Sequence, residues 1–244
     1  MKREANSLQF YGDDGVARRF ERRRGFAPWR TEKLHQVALD LLLALAPRGA
    51  SLLELGAGTG HFTKIIVETG HFGRIHVTDG AAAMLEIARE KLAESASALD
   101  FELVDFSGDW SQRFAPQRFD VVTSTMALHH TEDKVRLFRQ VFEILKPGGI
   151  FALGDHMAAS SDLGNYLIGR ERALVVLGRE AGLDHERIRE QIELDNHRGE
   201  VEGNLCESVL RYLEALSAAG FQDVDCIWQD YWLAVLVARK SRSG

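Results

Sequence analysis

Helix-like and strand-like spacings of apolar residues alternate along this chain, and the alternation predicts an α/β domain. Residues 33–45 carry an apolar residue every three or four positions, which is typical of an amphipathic helix. Residues 51–55 are instead almost continuously apolar, as in a strand that is covered on both faces. The same patterns predict, with helices between them, further strands at 74–78, 99–104, 119–124 and 150–153.

The alternation stops after the fifth strand. Two helices are predicted at 162–181 and 184–196, and a polar loop at 198–203. A last helix at 205–219 and a closing β-hairpin, with strands at 223–228 and 232–238, complete the pattern. We therefore divide the chain into four segments: an N-terminal lid segment, 1–32; a core, 33–156; a helical cap insertion, 157–203; and the closing helix and hairpin of the core, 204–244.

Composition narrows the class of protein. The 244 residues are 45% hydrophobic and carry a net charge of −6, which suits a full core and gives no support for nucleic-acid binding. The two cysteines, Cys206 and Cys226, show no metal-ligand spacing, and we expect no metal. They fit a reducing cytoplasm, and no apolar run is long enough for a membrane span. The composition neither indicates nor excludes a homodimer.

A glycine-rich loop follows the first strand directly. Gly56, Gly58 and Gly60 stand at alternate positions, and a helix begins at once. Glycine lets a ligand approach the backbone, and the N-terminus of a helix offers free N–H groups, so this order of elements predicts a nucleotide site. A dinucleotide loop would carry its third glycine where this chain has His61, which argues against a nicotinamide-dependent oxidoreductase.

An acidic residue ends the second strand. Asp79 lies 25 residues after Glu54, near the spacing that a βαβ unit gives to a carboxylate that binds ribose hydroxyls. The alternative is that Asp79 caps the helix that follows it. Met84 in that helix fits either an adenine contact or the core.

These motifs resemble those of class I S-adenosylmethionine (SAM) dependent methyltransferases. Glu54 followed by the three glycines matches their first motif, residues 119–124 resemble their fourth, and residues 145–149 read LKPGG, a frequent feature before the fifth strand. The resemblance implies a Rossmann-like seven-stranded sheet in the order 3-2-1-4-5-7-6, with the last strand antiparallel. It also implies SAM as cofactor, with S-adenosylhomocysteine as product, and a lid before the first motif.

The residues expected to bind the cofactor come from the ends of the first four strands. The resemblance implies that an acidic residue after the third strand meets the adenine. The cofactor set is Glu54, Gly56, Ala57, Gly58, Gly60, Asp79, Gly80, Met84, Asp105, Phe106 and Thr125.

Candidates for acid–base chemistry are histidines at the carboxyl ends of strands. His130 and His156 are the first candidates and His129 is the third, with structural packing as the alternative for the His129–His130 pair. Asp155 is expected to orient His156 or to cap a turn. The residues expected to bind substrate are Tyr11, Trp29, Arg30 and His156.

The sequence thus favours an enzyme that moves a methyl group from SAM to an O, N or C atom of a small molecule by in-line displacement. One alternative is a carboxy-SAM synthase of tRNA wobble-uridine modification, which the cap helices and hairpin resemble. Those enzymes carry an arginine where this chain has Ala215, and its nearest arginine is Arg211. A non-catalytic SAM-binding protein is the other alternative. The acceptor itself is not encoded in any motif.

Overall fold

A computed structural model describes residues 4–23, 28–114, 116, 118–178 and 184–242. Within these ranges the strands form a seven-stranded sheet in the order β3-β2-β1-β4-β5-β7-β6. The first five strands run parallel, and β7 is antiparallel to both of its neighbours. This arrangement confirms the predicted fold class. The strands are β1 Leu52–Leu55, β2 Ile75–Asp79, β3 Leu99–Leu103, β4 Phe119–Thr125, β5 Leu145–His156, β6 Gln222–Asp230 and β7 Leu233–Arg239.

Helices precede, connect and follow these strands. They are α1 Glu4–Tyr11, α2 Asp14–Arg23, α3 Pro28–Leu45, α4 His61–Glu68, α5 Ala82–Lys91, α6 Lys134–Ile144, α7 Asp162–Leu177, α8 His185–Glu202 and α9 Val209–Ala218. Among the described residues, every helix is too short or too polar to serve as a membrane span.

The sheet separates two hydrophobic cores. Leu52 belongs to the core that includes Leu34 and Phe62, whereas the adjacent Leu53 belongs to the core that includes Phe138 and Leu216. Neighbouring residues of a strand point to opposite faces, so β1 needs apolar side chains at successive positions. Burial on both faces thus explains the unbroken apolar run from which this strand was predicted.

The glycine-rich segment 146–149 forms a bulge near the start of β5. Helix α6 ends at Ile144, just before this segment. Phe119 pairs with Leu145 and Val121 pairs with Ile150, so residues 146–149 are accommodated between two consecutive pairings. Strand β5 therefore begins five residues earlier than predicted.

The prediction of a polar loop at 198–203 is wrong, because α8 continues to Glu202. Arg198 pairs with the buried carboxylate of Asp195 one turn earlier, and Gly203 ends the helix in the left-handed conformation. Helix α9 begins later than predicted because the side chain of Ser208 caps its first turn.

The cap helices contact each other through Ala173 and Leu174 of α7 and Ile188 of α8. In the N-terminal segment, Ala17 of α2 is fully buried against Ala81, Met84 and Ile87. The boundaries of the lid and of the cap stay predictions, and residues 1–3, 24–27 and 179–183 lie outside the described residues.

Candidate functional site

The glycine loop turns from β1 into α4 with its glycines in the left-handed region. The backbone φ of Gly56 is 68° and that of Gly60 is 77°. An ideal Cβ on Gly56 would overlap the side chain of Ala127, whereas one on Gly60 would press on Ala88 and Leu92 at 3.1 Å. Gly56 therefore permits a close approach at the cleft, and Gly60 permits helix α5 to pack against the loop.

Asp79 joins the glycine loop to the turn after β2. Its Oδ2 accepts a hydrogen bond from the N–H of Gly58 at 2.7 Å, and its Oδ1 accepts one from the N–H of Ala81 at 2.8 Å. Burial raises the pKa of this carboxyl, and the backbone donors oppose that effect. Helix α5 begins at Ala82, so Asp79 lies before the capping position and fixes the shape of the loop.

Glu54 lies beneath the loop rather than in the cleft. Its Oε2 accepts a hydrogen bond from the hydroxyl of Thr63 at 2.6 Å, while Oε1 is buried without a partner among the described residues. Burial, with a contribution from the nearby Asp79, raises the pKa of Glu54 to about 7.

A cleft opens at the carboxyl ends of β1, β2 and β4. It encloses about 820 Å³ of free space, part of it open to solvent. Seven of the residues predicted to bind the cofactor line it: Gly56, Gly58, Asp79, Gly80, Met84, Asp105 and Phe106. The other four lie behind its wall: Glu54, Ala57, Gly60 and Thr125. The cleft thus lies outside the carboxyl ends of the strands, where open α/β sheets bind their ligands.

The far wall of the cleft comes from the turn after β4. Met126 and Ala127 line it, together with His130 and Thr131. Met126 has a φ of 59°, which is unusual for a residue with a side chain, and its N–H donates to the carbonyl of Gly154 at 2.8 Å. Met126 therefore lines the cleft, one position beyond the predicted Thr125.

Helices α1 and α2 cover the cleft. Ser7, Leu8 and Tyr11 of α1 and Phe20 of α2 line it, and Leu8 lies directly over Gly80. Helix α2 is also tied to α5, because Nζ of Lys91 donates a hydrogen bond to Oε2 of Glu21 at 2.8 Å. Ser7 and Leu8 belong to no motif, so their contacts with the cleft could not be predicted from the sequence.

Three histidine rings meet next to the cleft. His129 lies 4.1 Å from His130 and 4.8 Å from His156 between ring centroids. The Nδ1 of His129 lies 2.5 Å from Oδ1 of Asp155, so the structure joins Asp155 to His129, whereas His156 donates its backbone N–H to the same oxygen at 2.9 Å. Burial lowers the pKa of His129 to about 3 and places the pKa of His156 well below its usual range.

Only His130 of the three lines the cleft. Its Nδ1 lies 3.2 Å from the carbonyl oxygen of Gly203, which can only accept, so Nδ1 carries the proton. Burial lowers the pKa of His130 to about 3, so the ring is neutral at pH 7. The ring of Tyr11 packs edge-on against it at 5.5 Å, and burial raises the pKa of Tyr11.

The other residues predicted to bind substrate lie elsewhere. Trp29 is 56% exposed at the start of α3. Arg30 is buried and pairs with Glu171 of α7 at 2.8 Å and with Asp230 of β6, and it lies over the ring of Trp232. Through these contacts Arg30 joins α3 to α7 and to β6, so it has a structural role.

The family profile described as a methyltransferase domain matches residues 53–151, which run from β1 through the glycine loop to β5. A highly reducing polyketide synthase of Emericella nidulans is 34% identical over 121 residues, which are 48% of this chain and 5% of the synthase. Compactin diketide synthase of Penicillium citrinum is 30% identical over 168 residues, 67% of this chain and 6% of the synthase. The chain thus spans about one twentieth of the fungal synthases that it matches.

Solved structures share the fold over most of the chain. The CurJ carbon methyltransferase is 22% identical with a TM-score of 0.65, over 98% of this chain and 61% of that one. Phosphoethanolamine N-methyltransferase 2 of Haemonchus contortus, solved with phosphomonomethylethanolamine and S-adenosylhomocysteine, is 15% identical with a TM-score of 0.70, over 99% of this chain and 61% of that one. Residues 53–151 thus match the methyltransferase domain family, and the sheet has the strand order expected from the resemblance to class I SAM-dependent methyltransferases.

Proposed function

We propose that this protein transfers the methyl group of SAM to an O, N or C atom of a small-molecule acceptor by in-line displacement. The observation that carries the proposal is the bond between Asp79 and the glycine loop at the floor of the lined cleft. When bound, SAM supplies an electrophilic methyl group on a positively charged sulfur.

The residues of the cleft fit this cofactor. Gly56 and Gly58 present their backbone to the cleft, where a ligand can lie against it. Asp79 has lone pairs to offer ribose hydroxyls in addition to its two backbone bonds. Met84, Asp105 and Phe106 would hold the adenine, since they line the cleft on the β3 side.

Helices α1 and α2 would exclude water from the transfer. Leu8 and Tyr11 place apolar surface over the cleft, and charge cancellation during methyl transfer is favoured in a dry, aligned site. Tyr11 also reaches His130, so it would form part of the wall for the acceptor.

His130 is the base that we propose for an acceptor that must lose a proton. Its Nδ1 proton is held by Gly203, and its Nε2 has no hydrogen-bond partner among the described residues. The neutral ring is in the protonation state of a base, and the nearby carboxylate of Asp155 opposes the burial that lowers its pKa. The Asp155–His129 pair lies directly behind it and would fix its position.

Carbon is the acceptor atom that we favour. Two of the sequence relatives are a polyketide synthase and a diketide synthase, and one structural neighbour is a carbon methyltransferase. A carbon acceptor must lose a proton around the time of transfer, and His130 offers the group that such a step needs.

The geometry does not favour a carboxy-SAM synthase. Arg211, the nearest arginine to the expected position, is exposed on α9 and pairs with Glu214 at 3.0 Å. It lies outside the lining of the cleft.

Mass spectrometry of small molecules released from the denatured protein, followed by calorimetry with S-adenosylhomocysteine, tests the proposal. We expect SAM or S-adenosylhomocysteine in the released fraction, or saturable binding of the latter to the purified chain. A nicotinamide cofactor, or carboxy-SAM, would contradict the proposal. Transfer of labelled methyl groups from SAM to β-keto thioesters would then test the carbon acceptor.

A further inference from the structure

The residue whose carbonyl oxygen meets His130 comes from the cap segment, and helix α1 packs against it. Gly203 follows α8, and its carbonyl oxygen is the partner of His130 Nδ1 at 3.2 Å. On its other side, Gly203 faces α1 so closely that an ideal Cβ would lie 3.2 Å from the backbone nitrogen of Ser7. One residue thus contacts both the lid helix and the histidine at the cleft.

The backbone of Gly203 suits this position. Its φ is 75°, and its N–H donates to the carbonyl oxygens of Glu200 and Gly199 in the last turn of α8. A left-handed residue after a helix turns the chain sharply, and the turn aims the Gly203 carbonyl at His130. A side chain would strain this conformation and would also press on α1.

The lid reaches the same histidine by a second route. Tyr11, one turn along α1 from Ser7, packs its ring on His130 at 5.5 Å, and Leu8 between them lies over Gly80. Docking of α1 therefore encloses His130 between Tyr11 and the Gly203 carbonyl.

We propose that Gly203 is a positioning residue, which holds His130 in the Nδ1–H tautomer and does so only while α1 is docked over the cleft. Covering the cofactor and preparing the base would then be one event. The part that this plays in methyl transfer rests on the proposed function, whereas the contact between α1, Gly203 and His130 does not.

The tautomer of His130 can be read without an acceptor. In the protein labelled with ¹⁵N-histidine, a ring with its proton on Nδ1 differs in both nitrogen shifts from the Nε2–H form that free imidazoles favour in water. The His130→Gln variant assigns the signals. Because burial keeps the pKa of His130 near 3, protonation does not confuse the result at pH 7.

Gly203→Ala and Gly199→Ala form a matched pair in neighbouring turns. A Cβ on Gly199 meets only the side chain of Asn204 at ordinary contact distance, 3.4 Å. We expect Gly203→Ala to lower the Nδ1–H fraction of His130 at least twofold and to speed trypsin cleavage after the exposed Arg18 and Arg19 of α2 at least tenfold. Gly199→Ala should match the wild type in both. An unchanged tautomer in a folded Gly203→Ala protein would overturn the proposal.

Leu8→Asp provides a second variant, which leaves Gly203 intact and undocks α1 from Gly80. Faster cleavage together with loss of the Nδ1–H tautomer supports the coupling. Faster cleavage with an unchanged tautomer overturns it. Calorimetry with S-adenosylhomocysteine on the wild type is scored separately, so absence of binding would reject the proposed function while the tautomer result still decides the role of Gly203.

Discussion

The α-carbon of Gly56 faces the side chain of Ala127 with no space for another methyl group between them. This contact sets the distance between the glycine loop and the turn after β4, which form two walls of the cleft. Gly56 also has a φ of 68°, so two separate physical reasons require glycine at this position.

Gly56→Ala should reduce stability and abolish cofactor binding. The left-handed backbone costs about 1–2 kcal/mol for alanine, and the overlap with Ala127 adds about 1–3 kcal/mol. Gly70→Ala is the matched control, because Gly70 has a φ of 57° and a Cβ there would meet no atom within 4 Å. Urea unfolding and calorimetry with S-adenosylhomocysteine would measure both effects. Equal losses in the two variants would show that the contact with Ala127 has no part in the site.

Asp79→Ala should weaken binding of S-adenosylhomocysteine at least tenfold. The variant loses the acceptor for Gly58 and Ala81 and the carboxylate proposed for the ribose, and a charge-assisted hydrogen bond contributes about 1.5–3 kcal/mol. Asp109→Ala is the control, since Asp109 pairs with Arg136 on the surface at 2.9 Å, outside the cleft. Unchanged affinity in a folded Asp79→Ala protein would remove Asp79 from the site.

Arg30→Met should destabilise the protein by about 3 kcal/mol, because it removes the buried guanidinium that pairs with the carboxylates of Glu171 and Asp230. Arg136→Met breaks an exposed pair and should cost less than about 1 kcal/mol. Chemical denaturation of both variants makes the comparison. A stable Arg30→Met protein with an altered acceptor preference would instead support the substrate contact expected from the sequence.

Glu54→Gln should remove a pH dependence of stability. The pKa of Glu54 is about 7 in the folded protein and near 4.5 in the unfolded chain. Between these values the folded state binds more protons, so this group's contribution is present below pH 4.5 and is lost as the pH rises toward 7, by up to about 3 kcal/mol. Unfolding free energies at pH 5 and pH 8 would show it: the variant should gain stability relative to the wild type at the higher pH. A constant difference between the two proteins would contradict the shift.

The fold could be predicted because its signals are local. A buried parallel strand needs apolar residues at successive positions, as Leu52 and Leu53 show, and the glycine loop needs its spacing whatever surrounds it. The end of α8 could not be predicted in this way. Its polar sequence has no apolar periodicity, and the helix continues because Asp195, one turn earlier, is buried beside Arg198.

The residues of the site likewise differ in whether the sequence could predict their position. Asp79 ends β2 and Asp105 follows β3, and the topology alone brings them to one cleft. The pairing of Asp155 with His129, and the contact of Gly203 with His130, join residues 26 and 73 positions apart. Such contacts depend on side-chain rotation and on how the cap lies on the sheet, which no spacing in the sequence encodes.

The position of β7 between β5 and β6 has a consequence for synthesis. A chain leaving the ribosome can pair β1 to β5 as they emerge, but β5 keeps an open edge until residues 233–239 are made, because its next neighbour follows every other strand. The nascent protein therefore carries a complete glycine loop on an unfinished sheet, and the open edge of β5 can pair with a strand of another nascent chain.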